Sequence, residues 1–290
     1  MKKYLALFLF LSGIFSSFSQ QTSSKEKQTD DVIDSLFEKD QLIDEVLASL
    51  SNYQFLYLSV NYNNDTYFSG RDIGIKQYNI SPRITYLHSS GIYANVSGIY
   101  YSEFAPKWDL TTATLGFSKS FGKAKAFKYY ASYSRYFYNN DLDNALKNDL
   151  SIGLGIRNKK KTIGTQLSAS YLFGNDNSIQ VASNSYITFK LLKTNKSQLN
   201  LKPQISIIAA NQTIELARSY VQNGQTITDY SYQKTFGLIN TQLSLPIEFS
   251  INSFDFQLGY NMNFPTPIEN ESNLKNTSYF NFSMAYLIDL

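Results

Sequence analysis

The sequence predicts an all-β fold: a transmembrane antiparallel up-and-down β-barrel of about 12 strands with a short N-terminal periplasmic helix. Two observations predict it. From residue 53 onward, apolar and small polar side chains alternate along segments of about 9–11 residues, the length with which a tilted strand crosses a bilayer. The connections between these segments are short and long in turn, which is typical of barrels in an outer membrane. An even number of strands places both ends of residues 53–290 at the short-turn, periplasmic rim.

The alternation is clear in a predicted strand at 149–158. It places Leu150, Ile152, Leu154 and Ile156 on one face, and small side chains with one arginine on the other. One face is apolar in nearly all of the predicted strands. They are 53–62, 79–88, 92–101, 110–121, 127–137, 149–158, 162–173, 180–193, 198–210, 236–249, 254–264 and 278–290.

The predicted connections fall into two classes. The short ones lie at 89–91, 122–126, 159–161, 194–197 and 251–253. Among the intervening connections, which are otherwise long, 174–179 is brief. The long ones lie at 63–78, 102–109, 138–148, 211–235 and 265–277. The first of these long connections mixes aromatic and polar side chains, as sugar-binding surfaces do, although exposed barrel loops commonly share that composition.

Aromatic residues, 16% of the chain, cluster near both rims, as interfacial anchoring predicts. The cluster toward the long loops is Tyr62, Tyr78, Tyr100, Trp108, Phe137, Tyr138, Phe173, Phe264 and Tyr279. The cluster toward the short turns is Phe55, Tyr86, Phe121, Phe127, Phe189, Phe249, Phe254 and Tyr286. The sequence therefore predicts two aromatic girdles around the barrel.

The alternative is a soluble β-sandwich or lipocalin-like barrel with its apolar face inward. Its outer face would then consist of Gly, Ser, Thr, Asn and Gln with few charges, which is a poor surface in water. The Phe and Tyr residues of about 12 strands would also overfill a small barrel. We therefore expect the apolar face to contact lipid.

Residues 1–52 differ from the barrel region. Residues 1–19 have the basic start, the short apolar run and the small residues Ser17 and Ser19 of a secretory signal peptide, so export to the cell outer membrane is expected. Residues 20–52 predict an acidic amphipathic helix with its linker, because apolar residues recur at helical spacing. Residues 22–50 contain eight acidic and three basic residues.

The segment "YFNFSMAYLIDL" (279–290) continues an apolar stripe to Leu290. It resembles the C-terminal assembly signal of outer-membrane β-barrel proteins, and this resemblance implies insertion by the barrel assembly machinery. That family usually ends in an aromatic residue, from which Leu290 departs. The Tyr/Asn/Lys-rich composition and the "SFSQ" end of the signal peptide are similar to those of outer-membrane proteins of the Bacteroidetes group.

The overall composition excludes several kinds of site. The 290 residues include no cysteine and one histidine, and the formal net charge is +3. Disulfides, thiolate metal sites and a cysteine nucleophile are excluded, and no basic footprint for nucleic acid exists. Asp141, Asp143, Asn144 and Asp149 offer oxygen ligands for Ca²⁺, but a solvated acidic loop without Gly or Glu is the simpler interpretation. We therefore predict no cofactor and no metal.

One local motif has the residue types of a hydrolase. His88 and Ser90 in "YLHSSG" resemble the His-x-Ser pair of the outer-membrane phospholipase A family, whose dyad pairs with an asparagine on a neighbouring strand; Asn95 is the corresponding residue here. In that family the site lies on the outer-leaflet side, whereas His88 and Ser90 are predicted at a periplasmic turn. A turn composition without catalysis is the alternative, and we expect no enzyme.

Mid-strand residues on the predicted inward face are mostly small, and this would leave space in the lumen. Arg83 is the main charged residue predicted at mid-depth. The other predicted pore-lining residues lie near the periplasmic rim: Lys128, Arg157, Lys190, Lys202, Glu248 and Asp255. A net-positive constriction favours anions. The sequence leaves two alternatives, an open or gated pore and a lumen locked by ion pairs.

These features together predict a small porin-like channel that passes small polar or anionic solutes. Residues 22–50 are acidic and the predicted rim is basic, so this segment could dock into the periplasmic mouth. There it would act as a plug or lid. The alternative function is a structural or docking barrel that binds another envelope protein, either a periplasmic partner through residues 22–50 or a partner of the long loops. Outer-membrane lipid and lipopolysaccharide are the expected surroundings.

Overall fold

The structure, a computed structural model, describes residues 54–139, 146–194, 196–222, 225–267 and 274–290. The predicted signal peptide and the predicted acidic helix lie outside these ranges. Within them, the one helical element is a 3₁₀ turn, Lys123–Lys125, and no helix is long and apolar enough to cross a membrane. The described chain is otherwise made of antiparallel strands and their connections.

Sixteen strand segments follow one another along the chain. The first eight are β1 (Gln54–Asn63), β2 (Tyr67–Phe68), β3 (Arg71–Asp72), β4 (Asn79–His88), β5 (Ile92–Tyr101), β6 (Trp108–Phe121), β7 (Phe127–Tyr138) and β8 (Asn148–Arg157). The others are β9 (Ile163–Phe173), β10 (Asn177–Ile187), β11 (Phe189–Lys193), β12 (Ser197–Leu201), β13 (Gln204–Gln222), β14 (Gln225–Ile251), β15 (Phe254–Pro265) and β16 (Thr277–Asp289).

All segments except β2 and β3 form one closed antiparallel barrel of 12 strands. β1 pairs with β4 on one side and with β16 on the other, from Phe55 opposite Asp289 to Asn63 opposite Asn281. This seam between the first and last strands closes the ring, so that neither of these two strands leaves an open edge. The predicted strand positions agree with the observed ones for most of the chain.

Two barrel strands are interrupted on the short-turn side. The strand predicted at 180–193 begins earlier and divides at Thr188 into β10 and β11, and its neighbour divides at Lys202 and Pro203 into β12 and β13. Proline has no N–H group to donate to the ladder, so the strand is interrupted at Pro203. The Pro203 carbonyl still accepts a hydrogen bond from the N–H of Ile187 at 3.1 Å. β11 pairs with β12 in the described part of the chain, and all five of its residues are exposed.

The prediction of a long loop at 211–235 is wrong. β13 and β14 remain paired far beyond the neighbouring strands, up to Gln222 opposite Gln225. The segment lacks a continuous apolar face, which is why its period of two was not recognised. Asn223-Gly224, a dipeptide that strongly favours a two-residue hairpin turn, was the signal in the sequence that could have identified it.

The outward face is apolar, as predicted from β8, where Leu150, Ile152, Leu154 and Ile156 are all exposed. The inward face carries buried polar residues, among them Asn79, Asn240, Asn261, Asn263 and Asn281. Three residues placed in the aromatic girdles are on the inward face instead: Phe55, Tyr138 and Tyr279. Their strand neighbours Leu56, Phe137 and Phe280 point outward, and the strand period of two fixes the opposite direction for these three.

Ile152 provides a test of the outward face, because it lies at the middle of β8 and is 63% exposed. We expect Ile152→Arg to lower the free energy of unfolding by about 2–4 kcal/mol, the cost of a cation at the bilayer midplane of a barrel. Urea unfolding of protein folded in lipid vesicles measures this change. Ile152→Leu is the control and should leave the midpoint nearly unchanged. Equal stability of the two variants would mean that this face does not contact hydrocarbon.

Candidate channel lumen

The short-turn half of the lumen contains a buried ion pair between two neighbouring strands. Lys202 follows β12, and its Nζ atom lies 3.9 Å from Oε1 of Glu248 on β14. The two residues are only 1% and 2% exposed. The Lys202 ammonium also lies 4.6 Å from the ring centroid of Tyr186, which is cation–π geometry. These two predicted pore-lining residues therefore lie on the inner wall and are withdrawn from solvent.

Lys128 and Asp255 are also buried on the inward face, on β7 and β15. The Lys128 ammonium lies 5.8 Å from the centroid of the Tyr130 ring on the same strand. Together with Lys202 and Glu248 they form a buried group of two cations and two anions. The two other basic residues predicted near the rim, Arg157 and Lys190, are less buried.

Arg157 and Lys190 lie closer to the rim. Arg157 is half-buried on β8, and its Nε atom donates to the main-chain oxygen of Lys125 at 3.0 Å, which braces the turn between β6 and β7. Lys190 lies on the exposed strand β11, opposite Asn200. Of the residues predicted near the rim, Arg157 is therefore half-buried and Lys190 exposed, and neither belongs to the buried group.

Three apolar side chains fill the inward face near the seam. Phe55 on β1 and Leu87 on β4 are directly opposed across the ladder, and Leu287 on β16 lies diagonally next to Phe55. All three are buried. They narrow the lumen at the short-turn end of β1, β4 and β16.

Three glycines of the inward face do not leave the space that small residues suggested. Three inward tyrosines each lie directly opposite a glycine: Tyr93 opposite Gly116, Tyr130 opposite Gly153, and Tyr186 opposite Gly164. A Cβ atom on any of these glycines would overlap the facing ring, at distances of 2.0–2.6 Å. The glycines therefore let aromatic rings lie against the inner wall.

Arg83 lies at mid-depth on the inward face of β4. Its Cα is opposite Ser59 and Ser97, and the flanking inward residue Thr85 is buried. Arg83 itself is exposed. Since Arg83 faces inward and Ser59 and Ser97 beside it are half-buried, its exposed surface lies in the lumen.

The connection between β1 and β4, residues 64–78, is named loop 1 and folds into the mouth of the barrel. It contains the short hairpin β2–β3, and Gly70 at its tip has φ +78°. A Cβ atom on Gly70 would lie 2.6 Å from Oδ1 of Asn240, an inward residue of β14 that is 3% exposed. The tip therefore packs against the inner wall beyond the seam, and only glycine fits there.

Hydrogen bonds hold the tip of loop 1 to the wall. The Thr277 hydroxyl donates to the Gly70 carbonyl at 2.8 Å, and Thr277 in turn accepts from Nδ2 of Asn263 at 3.0 Å. The Arg71 guanidinium donates to the main-chain oxygens of Ile239 at 3.4 Å and Thr266 at 2.8 Å. These contacts tie loop 1 to β14, β16 and the connection after β15.

A second set of contacts holds the base and the aromatic side of loop 1. The Thr66 hydroxyl donates to the Gln77 carbonyl at 3.0 Å and accepts from Nδ2 of Asn79 at 2.9 Å. The Tyr67 hydroxyl donates to Oδ2 of Asp65 at 3.0 Å. Burial, and then this hydrogen bond, raise the pKa of Tyr67 to about 12, so the hydroxyl remains a donor at neutral pH.

A cavity of about 340 Å³ lies between loop 1 and the inner wall. Its lining includes the amides Asn63, Asn79, Asn240, Gln242 and Asn263. Aromatic side chains from loop 1, β5 and β16 complete it: Tyr67, Phe68, Tyr101 and Tyr279. Apart from the mixed composition of loop 1, this site could not be predicted from the sequence, because the wall residues come from strands far away in the chain.

The hydrolase motif is only partly assembled. His88 Nδ1 and Ser90 Oγ lie 2.9 Å apart, but the backbone N–H of Ser90 also points at Nδ1, at 3.1 Å. Asn95 lies opposite Thr85 on the inward face, whereas His88 is on the outward face. The third member of the motif is therefore on the other side of the wall, and the His–Ser contact belongs to a turn.

Asp149 is not a loop ligand. It is buried on the inward face of β8, and its Oδ2 atom accepts from the Ser151 hydroxyl at 2.7 Å. Asp141, Asp143 and Asn144 lie outside the described residues. Among the residues that the structure describes, no group of three or more His, Cys, Asp or Glu side chains is placed to hold a metal ion.

Solved structures with a similar arrangement are barrels of outer membranes. An outer membrane channel from Pseudomonas putida F1 matches with a TM-score of 0.50 at 9% identity, over 82% of this chain and 97% of that chain. This chain has the fold of an outer-membrane channel. The NanC porin (TM-score 0.46, 8% identity, 80% of this chain and 98% of that one) and LpxR from Salmonella typhimurium (TM-score 0.45, 9% identity, 80% and 99%) also match. No protein-family model and no curated protein matches the sequence.

The fold supports a location in the outer membrane, with the apolar outward face in lipid. In barrels of this kind the short turns face the periplasm and the long loops face outside. Loop 1 then lies at the outer mouth, Arg83 at mid-depth, and the ion pair of Lys202 and Glu248 toward the periplasm. Similarity at such low identity extends to the fold alone.

Proposed function

We propose that the barrel is a porin-like channel that passes small polar solutes, neutral and anionic, with Arg83 as the residue that favours anions. The acidic residues 22–50 act in this proposal as a periplasmic lid. The observation that carries the proposal is the exposed Arg83 at the centre of the lumen, between the partly closed outer mouth and the buried short-turn half. A guanidinium in that position contacts any solute that passes, and its positive charge attracts anions.

Reversal potentials in planar bilayers under a KCl gradient test the role of Arg83. We expect Arg83→Glu to shift selectivity several-fold toward K⁺, because the substitution changes the sign of the charge at mid-depth. Lys160→Glu makes the same change of charge in the exposed turn between β8 and β9, and it should leave the reversal potential nearly unchanged. Equal shifts in both variants, or no shift in either, would contradict a selectivity role for Arg83.

The channel itself is tested by conductance of the full chain and of a variant without residues 22–50. If these residues form a lid, the shortened protein stays open for a larger fraction of the time. If neither protein conducts, the channel proposal is wrong.

Docking to a periplasmic partner is the second candidate, and strand β11 favours it. Its five exposed residues include Phe189, Leu191 and Leu192. An edge strand with exposed apolar side chains is a surface that an extended segment of another protein pairs with. Crosslinking from position 191 in intact cells tests this function, and an absence of crosslinked protein would count against it.

A further inference from the structure

The cavity under loop 1 has a specific chemistry. Five amide side chains line it, and each primary amide both donates and accepts hydrogen bonds. Asp65 is the one charged residue in the lining, and neither lysine nor arginine is among the described residues there. An anion would therefore meet a carboxylate and no cation in this cavity, whereas a neutral solute with many hydroxyl groups would find partners for both its O–H donors and its oxygens.

Asn240 lies at the boundary between the cavity and the tip of loop 1. Asn240 is 3% exposed, and its Nδ2 atom donates to Oδ1 of Asn263 at 3.1 Å. Its Oδ1 atom has no hydrogen-bond partner within the described residues. A buried acceptor without a partner lowers stability, but this oxygen is enclosed by the tip of loop 1, so a ligand hydroxyl reaches it only where the tip moves aside.

The remaining wall is aromatic. Tyr67 and Tyr279 lie with their ring centroids 6.0 Å apart, and the Phe68 and Tyr101 rings meet edge to face at 6.4 Å. A saccharide ring has apolar C–H faces as well as hydroxyls, so it fits a cavity that combines amides with aromatic rings. A volume of about 340 Å³ is at the lower end of the range of about 300–1,000 Å³ that small-molecule sites occupy.

From this chemistry we propose that the cavity under loop 1 is a binding site for a neutral, hydroxyl-rich solute of the size of a mono- or disaccharide. The solute binds at the outer mouth before it passes Arg83. This inference rests on the proposed channel function, because a solute bound in the cavity continues through the lumen only if the barrel is a channel.

Current block in planar bilayers tests the proposal, with maltose as the neutral probe and glucuronate as the anionic one. We expect maltose, added on the long-loop side, to reduce the current in a concentration-dependent manner, and glucuronate to do so more weakly. Gln242→Leu removes an amide that lines the cavity and donates to the Tyr279 hydroxyl at 3.0 Å. It should weaken the maltose block about three- to tenfold, which corresponds to one hydrogen bond.

Gln257→Leu is the matched control, since it removes the same side chain from the inward face of β15 outside this cavity. It should leave the maltose block unchanged. A block by glucuronate as strong as that by maltose, no block by maltose, or equal effects of both variants would each overturn the proposal.

Calorimetric titration of the detergent-solubilised full chain with maltose separates the two proposals. If the protein binds maltose and Gln242→Leu weakens the binding, but no current flows, the saccharide site stands and the channel function is wrong. If current flows and maltose neither binds nor blocks, the channel function stands and the site is wrong.

Discussion

Replacing residues 65–77 with a four-residue glycine–serine turn should raise the single-channel conductance several-fold. Loop 1 reaches across the outer mouth and packs its tip against Asn240, so its removal joins the cavity to the rest of the lumen. The barrel should still fold, because the pairing of β1 with β4 continues to Asn63 opposite Asn79, where a short turn closes a hairpin. Conductance in planar bilayers is the measurement, and an unchanged value would mean that loop 1 does not narrow the path.

Two glycines in loop 1 allow the effect of displacing the loop to be distinguished from the effect of straining its backbone. Gly70 and Gly74 have nearly the same φ, +78° and +76°, so alanine at either position pays a similar strain of about 1–2 kcal/mol. Only at Gly70 does the new methyl group meet another residue, Asn240; at Gly74 nothing lies within 4 Å. We therefore expect Gly70→Ala to displace the tip and raise the conductance, and Gly74→Ala to leave it close to the wild-type value.

Glu248→Gln should lower the free energy of unfolding by about 3–5 kcal/mol, because it leaves the Lys202 ammonium in a buried position without the carboxylate beside it. Lys202→Met should have a similar cost. The double variant Lys202→Met/Glu248→Leu should recover most of the loss, since two apolar side chains remove both charges of this pair. Urea unfolding in lipid vesicles measures all three, with fluorescence of Trp108, the one tryptophan of the chain, as the signal.

The control for this series is Lys193→Met on the exposed strand β11, which makes the same change as Lys202→Met. A substitution on an exposed surface should change stability by no more than about 0.5 kcal/mol. If the double variant is as unstable as the sum of the single ones, the two charges are not coupled and the distance of 3.9 Å between them has no energetic meaning.

The features that the sequence predicted well are those that depend on neighbours along the chain. The alternation in β8 identified both faces of the wall, because lipid demands an apolar side chain at every second position. Phe55 was assigned to the outward face by its position near a rim; the same alternation, applied with Leu56, would have placed it on the inward face. The alternation did not identify the strands at 211–235, because the sequence there has no continuous apolar face although the ladder continues.

The features that could not be predicted depend on residues that are far apart in sequence. Nothing in loop 1 specifies that Gly70 meets Asn240, since that contact requires the barrel to be closed first. The glycines opposite Tyr93, Tyr130 and Tyr186 suggested empty space because the register that places a ring over each of them is a property of two strands together. The seven predicted pore-lining residues were likewise found from strand period alone, and the period does not distinguish the buried Lys202 from the exposed Arg83.

The seam between β1 and β16 has a consequence for the order in which the protein assembles. It joins strands from opposite ends of the barrel region, so its hydrogen bonds form only after every strand between them is in place, and bringing such distant segments together is the slowest kind of contact to make. Until that moment both strands expose unpaired backbone groups, which hydrocarbon does not tolerate. We therefore expect closure of the barrel to be a late step of insertion, in which residues 281–289 pair with β1.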